Sequence, residues 1–168
     1  MQLWEAIETR RSAGKLAGPG PSTAHLERIV AAASRAPDHG RLRPWRVFVL
    51  DDSARGRFAD AVVSARRARL PVPTEEQLTL ERDKIWRSPT VLVVGCVVVR
   101  DHPKVPEIEQ VLSAGAAVQN MFLAAHDLGY GVMWKTGPAA YEPGVKRAVG
   151  LAQEDHIVAI LHLGTRLG

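Results

Sequence analysis

Apolar positions along the chain change their spacing several times, and each change marks an element. Leu3, Trp4 and Ile7 share one helical face, so residues 2–10 read as a short helix. Gly14 and Gly18-Pro19-Gly20-Pro21 interrupt the chain. Ser22 is then a candidate N-cap for a helix striped by Leu26, Ile29, Val30 and Ala33. That helix should stop at Ala36, because Pro37 disfavours helical backbone in the residue before it. Residues 46–50 read as a strand, and Asp51-Asp52-Ser53 opens a helix with Phe58, Val62 and Ala65 inward. Arg66, Arg67 and Arg69 close it, where positive charge suits the helix dipole. Pro71 and Pro73 break the chain, and a less regular helix is expected over 74–87.

Residues 91–99 are apolar without alternation, the pattern of a strand covered on both faces. The longest helix is expected over 107–128, with Val111, Gly115, Val118, Phe122 and Ala125 in register. Its middle, Ser113 to Ala117, is small on every side and permits close packing, and Gly129 ends it. A strand at 130–136, a short helix at 143–149 and a last strand at 157–163 complete the pattern. About six helices and four strands, with no repeat, predict one α+β domain over residues 1–168, a sheet with helices packed on it.

Composition narrows the class. Apolar residues form 46% and charged residues 24% of 168, ordinary for a globular protein with a real core. No apolar run approaches the ~18–20 residues of a membrane span. Met1 leads into no basic start or apolar signal core, so a cytoplasmic location is expected, with no membrane partner. Cys96 is the only cysteine, which excludes an intramolecular disulfide or a cysteine-rich metal site. It lies inside the apolar run and is expected to be a small buried hydrophobe. Residues 1–69 hold 13 Lys/Arg against 7 Asp/Glu, whereas residues 70–168 hold 9 against 11. The basic half points to an anionic partner, either nucleic acid or a phosphate-bearing cofactor. Only 9 aromatic residues are present, few for stacking single strands.

Candidate chemistry is sparse. Asp38-His39, Asp101-His102 and Asp155-His156 repeat a metal-friendly pair at spacings that match no familiar ligand pattern, so no metal site is expected. No Gly-x-Ser-x-Gly elbow and no classical dinucleotide or P-loop glycine pattern occurs. Arg10-Arg11-Ser12 places two guanidinium groups and a hydroxyl at a helix end, a set able to surround a phosphate. Alone, it reads as a solvated helix end. The stretch Arg35-Ala-Pro-Asp-His-Gly-Arg-Leu-Arg-Pro-Trp45 cannot be one helix. It is basic and carries a histidine and a Trp, in the kind of loop where binding residues gather.

Taken in order, Arg10-Arg11-Ser12, then Arg35-Ala-Pro-Asp-His39 with Pro44-Trp45, then Gly129-Tyr-Gly-Val-Met-Trp-Lys-Thr-Gly137 resemble the nitroreductase family of flavin enzymes. The likeness is greatest to its small bacterial members and reaches Leu161-His-Leu-Gly164. It implies a nitroreductase-like fold, a mostly antiparallel sheet flanked by helices, and a homodimer with FMN at the subunit interface. It also implies ping-pong hydride transfer from NAD(P)H through flavin N5 to an electron-poor small molecule, a nitroaromatic or a quinone. By the resemblance, Arg10, Arg11 and Ser12 hold the FMN phosphate and ribityl chain. Arg35 and His39 reach the flavin of the other subunit, and Trp134, Lys135 and Thr136 line it. Lys135 is the expected counter-charge to the reduced ring, and no acid–base side chain is required. The turn from Ala124 to Gly129 is linked to the nicotinamide cofactor.

Some positions depart from the family pattern. Gly14 stands where a basic residue is common, with Lys15 nearby, and Arg41 and Arg43 replace Asn and Gln before Pro-Trp. Larger relatives carry a C-terminal extension with a phosphate-binding base, for which Arg166 is the candidate here; either FMN affinity is lower or the tail uses different contacts. The alternative is a non-catalytic phosphate or nucleic-acid binding module on the basic half.

Overall fold

The computed structural model describes residues 1–167, so the chain end at Gly168 lies outside the described residues. Six α-helices surround a five-stranded sheet. The helices are α1 Leu3–Thr9, α2 Thr23–Ala33, α3 Asp52–Arg67, α4 Glu75–Asp83, α5 Glu107–Asp127 and α6 Pro143–Ala148. The strands are β1 Leu16–Ala17, β2 Trp45–Val49, β3 Thr90–Cys96, β4 Gly131–Lys135 and β5 His156–Arg166. The expected α+β class holds, and every strand pairing is antiparallel.

Strand β5 is the spine. β3 pairs along one side of it and carries β2 at the far edge. On the other side β4 and the two-residue β1 pair end to end, β4 against residues 160–164 and β1 against Thr165 and Arg166. Strand alternation splits the core in two. Leu92, Val94, Val132, Leu161 and Leu163 face α2 and α5, while Val91, Val93, Ile157 and Ile160 face α3 and α6.

Local chemistry explains most boundaries. The Ser22 hydroxyl accepts from His25 N at 3.3 Å, as a cap should, and Asp51 Oδ1 accepts from Ala54 N at 2.7 Å. Thr74 and Gln77 form a reciprocal capping box at α4. Three expectations need correction. β1 was not anticipated, since two residues carry no periodicity, and with it β5 runs on to Arg166. The apolar run leaves the sheet at Cys96 rather than Val99. There the Val97, Val98 and Val99 amides donate to Pro44 O, Asp155 Oδ1 and Gln110 Oε1 instead of a neighbouring strand. The helix expected over 74–87 ends at Asp83 and tightens into a 3₁₀ turn, Lys84–Trp86.

Two apolar stripes face outward. Leu3 and Trp4 of α1 are 71% and 73% exposed, and only Ala6 of that helix is buried. Ile108 and Leu112, one turn apart on α5, are likewise exposed. Among the described residues, no helix is long and apolar enough to cross a membrane.

Candidate active site

The first and third sequence motifs meet at the sheet edge. After α1 the chain runs beside β4, where Ser12 bridges Val132 in parallel and Ala13 N donates to Val132 O at 2.8 Å. Gly131 permits this approach, because a Cβ there would lie 2.6 Å from Leu16 Cδ2 and 3.0 Å from Ala13 Cβ. The Arg10 guanidinium rests over the Phe122 ring at 4.8 Å from its centroid, which fixes its position. Arg11 and Ser12 are exposed beside it.

From Val132 the strand runs three residues, about 10 Å, to Lys135 and the mouth of the principal cleft. This cleft encloses about 630 Å³ between the end of α3, the 3₁₀ turn after α4, and the segment 135–139. Val62, Ala65, Ile85, Ala139 and Ile160 make its apolar walls. Arg66, Arg69, Lys84 and Lys135 supply four cations, with Glu81 as the one carboxylate. Most of these charges are tethered. Arg69 Nε donates to Glu142 Oε1 at 3.0 Å and its Nη2 to Pro138 O at 2.6 Å, which pins the turn after β4 to α3. Arg66 Nη1 donates to Pro71 O at 3.2 Å, and Lys84 pairs with Glu81. Lys135 is exposed at the mouth.

His162 forms the floor. It is 6% exposed, and its Nδ1 lies 3.0 Å from Ser88 Oγ. Burial, with Lys135, Arg55 and Arg87 near it, pushes its pKa down to about 4, so the ring is neutral at pH 7.

The eight residues singled out from sequence therefore divide. Arg10, Arg11 and Ser12 lie along β4, and Lys135 and Thr136 line the cleft. Trp134 points to the opposite sheet face, where its Nε1 donates to Val158 O at 3.0 Å and its ring packs on the core beneath α2 and α5. Arg35 and His39 line neither the cleft nor the β4 edge of their own chain. Arg35 is exposed just past α2, and His39 Nδ1 is 2.5 Å from Glu109 Oε2 in a shallow hollow beside Leu112 and Ala116. Arg41 and Arg43 follow with φ of 55° and 47°, in a loop held by Arg43 N donating to Asp38 Oδ2 at 2.7 Å. The other Asp-His pairs serve the backbone and Glu107. His102 Nδ1 accepts from Val105 N, Asp155 from Val98 N and Ala152 N, and His156 Nε2 lies 2.7 Å from Glu107. Cys96 is buried, and burial beside Asp155 and Glu107 pushes its thiol up to about 11.

Sequence reasoning missed Arg66, Arg69, Glu81, Lys84 and His162. The arginines read as a helix end, and only the packing of α3 against the turn after β4 turns that end into a wall.

Comparison with known proteins places the fold. A family model, "Nitroreductase family", matches residues 7–165. The Escherichia coli (strain K12) protein named "Putative NAD(P)H nitroreductase YdjA" is 36% identical over 165 residues, 98% of this chain and 88% of that protein. A Haemophilus influenzae protein named "Putative NAD(P)H nitroreductase" is 33% identical, over 98% of this chain and 89% of its own. Among solved structures, a nitroreductase-like family protein from Bacillus cereus superposes with a TM-score of 0.84 at 25% identity, covering 100% of this chain and 87% of that one. A Desulfovibrio desulfuricans protein described as "a putative nitroreductase in complex with fmn" shares the fold with a TM-score of 0.75 at 23% identity, covering 100% of this chain and 88% of that one.

Proposed function

Because the chain belongs to the nitroreductase family, we propose that it is an NAD(P)H-dependent flavin oxidoreductase whose FMN lies along β4, phosphate at Arg10-Arg11-Ser12 and ring in the cleft. The single observation that supports this reading is the Ser12–Val132 bridge, which sets the Arg10-Arg11-Ser12 segment beside the strand that ends at the cleft. The residues fit the cofactor. Arginine forks and a hydroxyl suit a phosphate, about 10 Å of strand leaves room for a ribityl chain, and a cleft of about 630 Å³ with apolar walls suits a tricyclic ring.

Held by Arg10, Arg11, Ser12, Lys135 and Thr136, FMN would supply hydride-transfer chemistry between NAD(P)H and an electron-poor acceptor, a nitroaromatic or a quinone. The chain's own part is placement and charge. Arg10, braced on Phe122, presents its guanidinium without a large loss of rotamer freedom. Lys135 at the strand end sets a cation beside the ring and favours negative charge there. Arg69 holds the turn 137–142 against α3, so the wall keeps its shape as ligands exchange. NAD(P)H and acceptor share one open mouth and bind in turn.

A homodimer completes the reading. Leu3, Trp4 and Ile7 of α1 and Ile108 and Leu112 of α5 leave apolar surface uncovered, as a partner surface would. Arg35 and His39, remote from their own cleft, are then available to the partner's flavin. Light scattering should give twice the monomer mass. After reconstitution with FMN, NADH or NADPH should bleach the visible spectrum without air, and a quinone should restore it. Parallel lines in steady-state plots should accompany this. FMN binding with no reduction by either nicotinamide would refute the reaction, and failure to bind FMN would refute the site and favour a non-catalytic binding module.

A further inference from the structure

Most side-chain polar groups of the cleft are donors; the acceptors are Glu81, which is paired with Lys84, and His162. Ser88 explains why His162 accepts. Its hydroxyl has one proton, which it donates to Thr90 O at 3.0 Å. The 3.0 Å contact between Ser88 Oγ and His162 Nδ1 therefore needs the proton on the ring, Nδ1–H donating to Oγ. That choice of tautomer leaves Nε2 as a bare acceptor. Among the described residues Nε2 has no protein hydrogen-bond partner and opens to the cleft, since Arg55 Nε is the one enclosed side-chain nitrogen left without a partner. The support behind it is rigid. Arg55, itself buried, donates to Ser88 O at 3.1 Å and to Pro89 O at 2.9 Å, and its guanidinium stacks on Trp86. A neutral acceptor is thus built into a cation-rich cleft and turned toward whatever occupies it.

Lys135 pairs with Ile160 across the strands, and Met133 pairs with His162, so Lys135 and His162 are diagonal neighbours on one face. A molecule that satisfies both must bring an acceptor for the ammonium next to an N–H for the imidazole. We propose that His162 is a ligand-binding residue that reads the imide N–H of a pyrimidinedione edge, with Ser88 as the positioning residue that fixes its tautomer. This rests on the flavin reading above and gives the ring its direction, imide edge toward β5. The edge presents carbonyl, N–H and carbonyl in a row, which matches a lysine donor beside a histidine acceptor.

The test is equilibrium titration of the full chain with FMN and with 3-methyl-FMN, in which a methyl group replaces the imide proton. Wild type should prefer FMN by roughly tenfold or more. His162→Phe, which keeps a ring but no acceptor, should lose that preference, and His162→Gln, which can offer an amide oxygen, should keep part of it. Ser88→Ala, which frees the tautomer, should reduce the preference without abolishing FMN binding. Thermal melting of each apoprotein separates a lost contact from a lost fold, and Gln and Ala variants carry the test if Phe does not fold. An equal preference in wild type and His162→Phe, or none in wild type, overturns the assignment while leaving FMN binding intact. A wild type that binds neither flavin overturns the flavin reading and this assignment together.

Discussion

Strand β5 shows two different environments on alternate residues. Leu161 and Leu163 turn toward α2 and α5 and are 1% and 0% exposed in a closed core. Ile160 and His162, one residue out of step, form part of the wall and floor of a cleft. The difference comes from what covers each face. Helix α5 has Ala114, Ala117 and Ala125 fully buried, and these small residues let it lie close to its neighbours. On the other face α3 ends at Arg67, and the chain bends through Pro71 and Pro73 before α4, so cover over the β4 side is incomplete. Both faces carry core, but only the α3/α6 face opens to a ligand, near β4, so substitutions one residue apart on β5 should differ in their effect on ligand recognition.

The largest expected effect is on the closed face. Met121→Ala, at a fully buried site between α5 and the sheet, should cost about 2–5 kcal/mol in denaturant unfolding. FMN affinity of the folded fraction should change little. A loss of affinity as large as that from a cleft substitution would erase the difference between the faces.

Next is the pH dependence of the cleft floor. The His162 pKa is about 4 in the fold against 6.5 when unfolded. Between those values the unfolded chain binds more protons, so stability rises with pH through that window. The contribution is complete above pH 6.5 and is lost as pH falls toward 4, by at most about 3 kcal/mol. Urea midpoints from pH 4 to 7 should be flatter for His162→Phe than for wild type. Equal slopes would mean that the ring titrates normally.

Lys135→Ala should move stability by no more than about 0.5 kcal/mol, as expected for an exposed site. It should weaken FMN binding several-fold and lower the flavin midpoint potential, since a cation beside the reduced ring is removed. An unchanged potential would take Lys135 away from the ring. The smallest effect on the flavin is expected from Cys96→Ala. Cys96 lies in β3 with a thiol held protonated at pH 7, so the visible spectrum and the rate of reduction should match wild type.

Much of this layout was legible in the chain. All six α-helices were anticipated, four of them from periodicity, because stripes such as Leu26, Ile29 and Ala33 record a buried face directly. The motif at Arg10-Arg11-Ser12 and the strand Gly131–Lys135 could be named but not joined. Their contact depends on a parallel bridge and on Gly131 having no Cβ, which no local pattern reveals. Trp134 and Lys135 were read together, yet strand alternation sends them to opposite faces. Lys84 and Glu81 sit at an irregular helix end without a motif, and His162 looks like any residue of an apolar strand. Its chemistry depends on Ser88, 74 residues away.

The most direct test of the site is whether one molecule bridges the β4 edge and the cleft. FMN and riboflavin differ only in the phosphate, so their relative affinity isolates the Arg10-Arg11-Ser12 end. Wild type should bind FMN more tightly than riboflavin. Arg10→Ala and Ser12→Ala should each lower FMN affinity by roughly tenfold to a hundredfold, the effect of about 1.5–3 kcal/mol for a charged hydrogen bond. Riboflavin affinity should stay at its wild-type level in both variants. Equal affinity of wild type for the two flavins, or an equal loss of both in the variants, would contradict the placement of the phosphate beside Ser12.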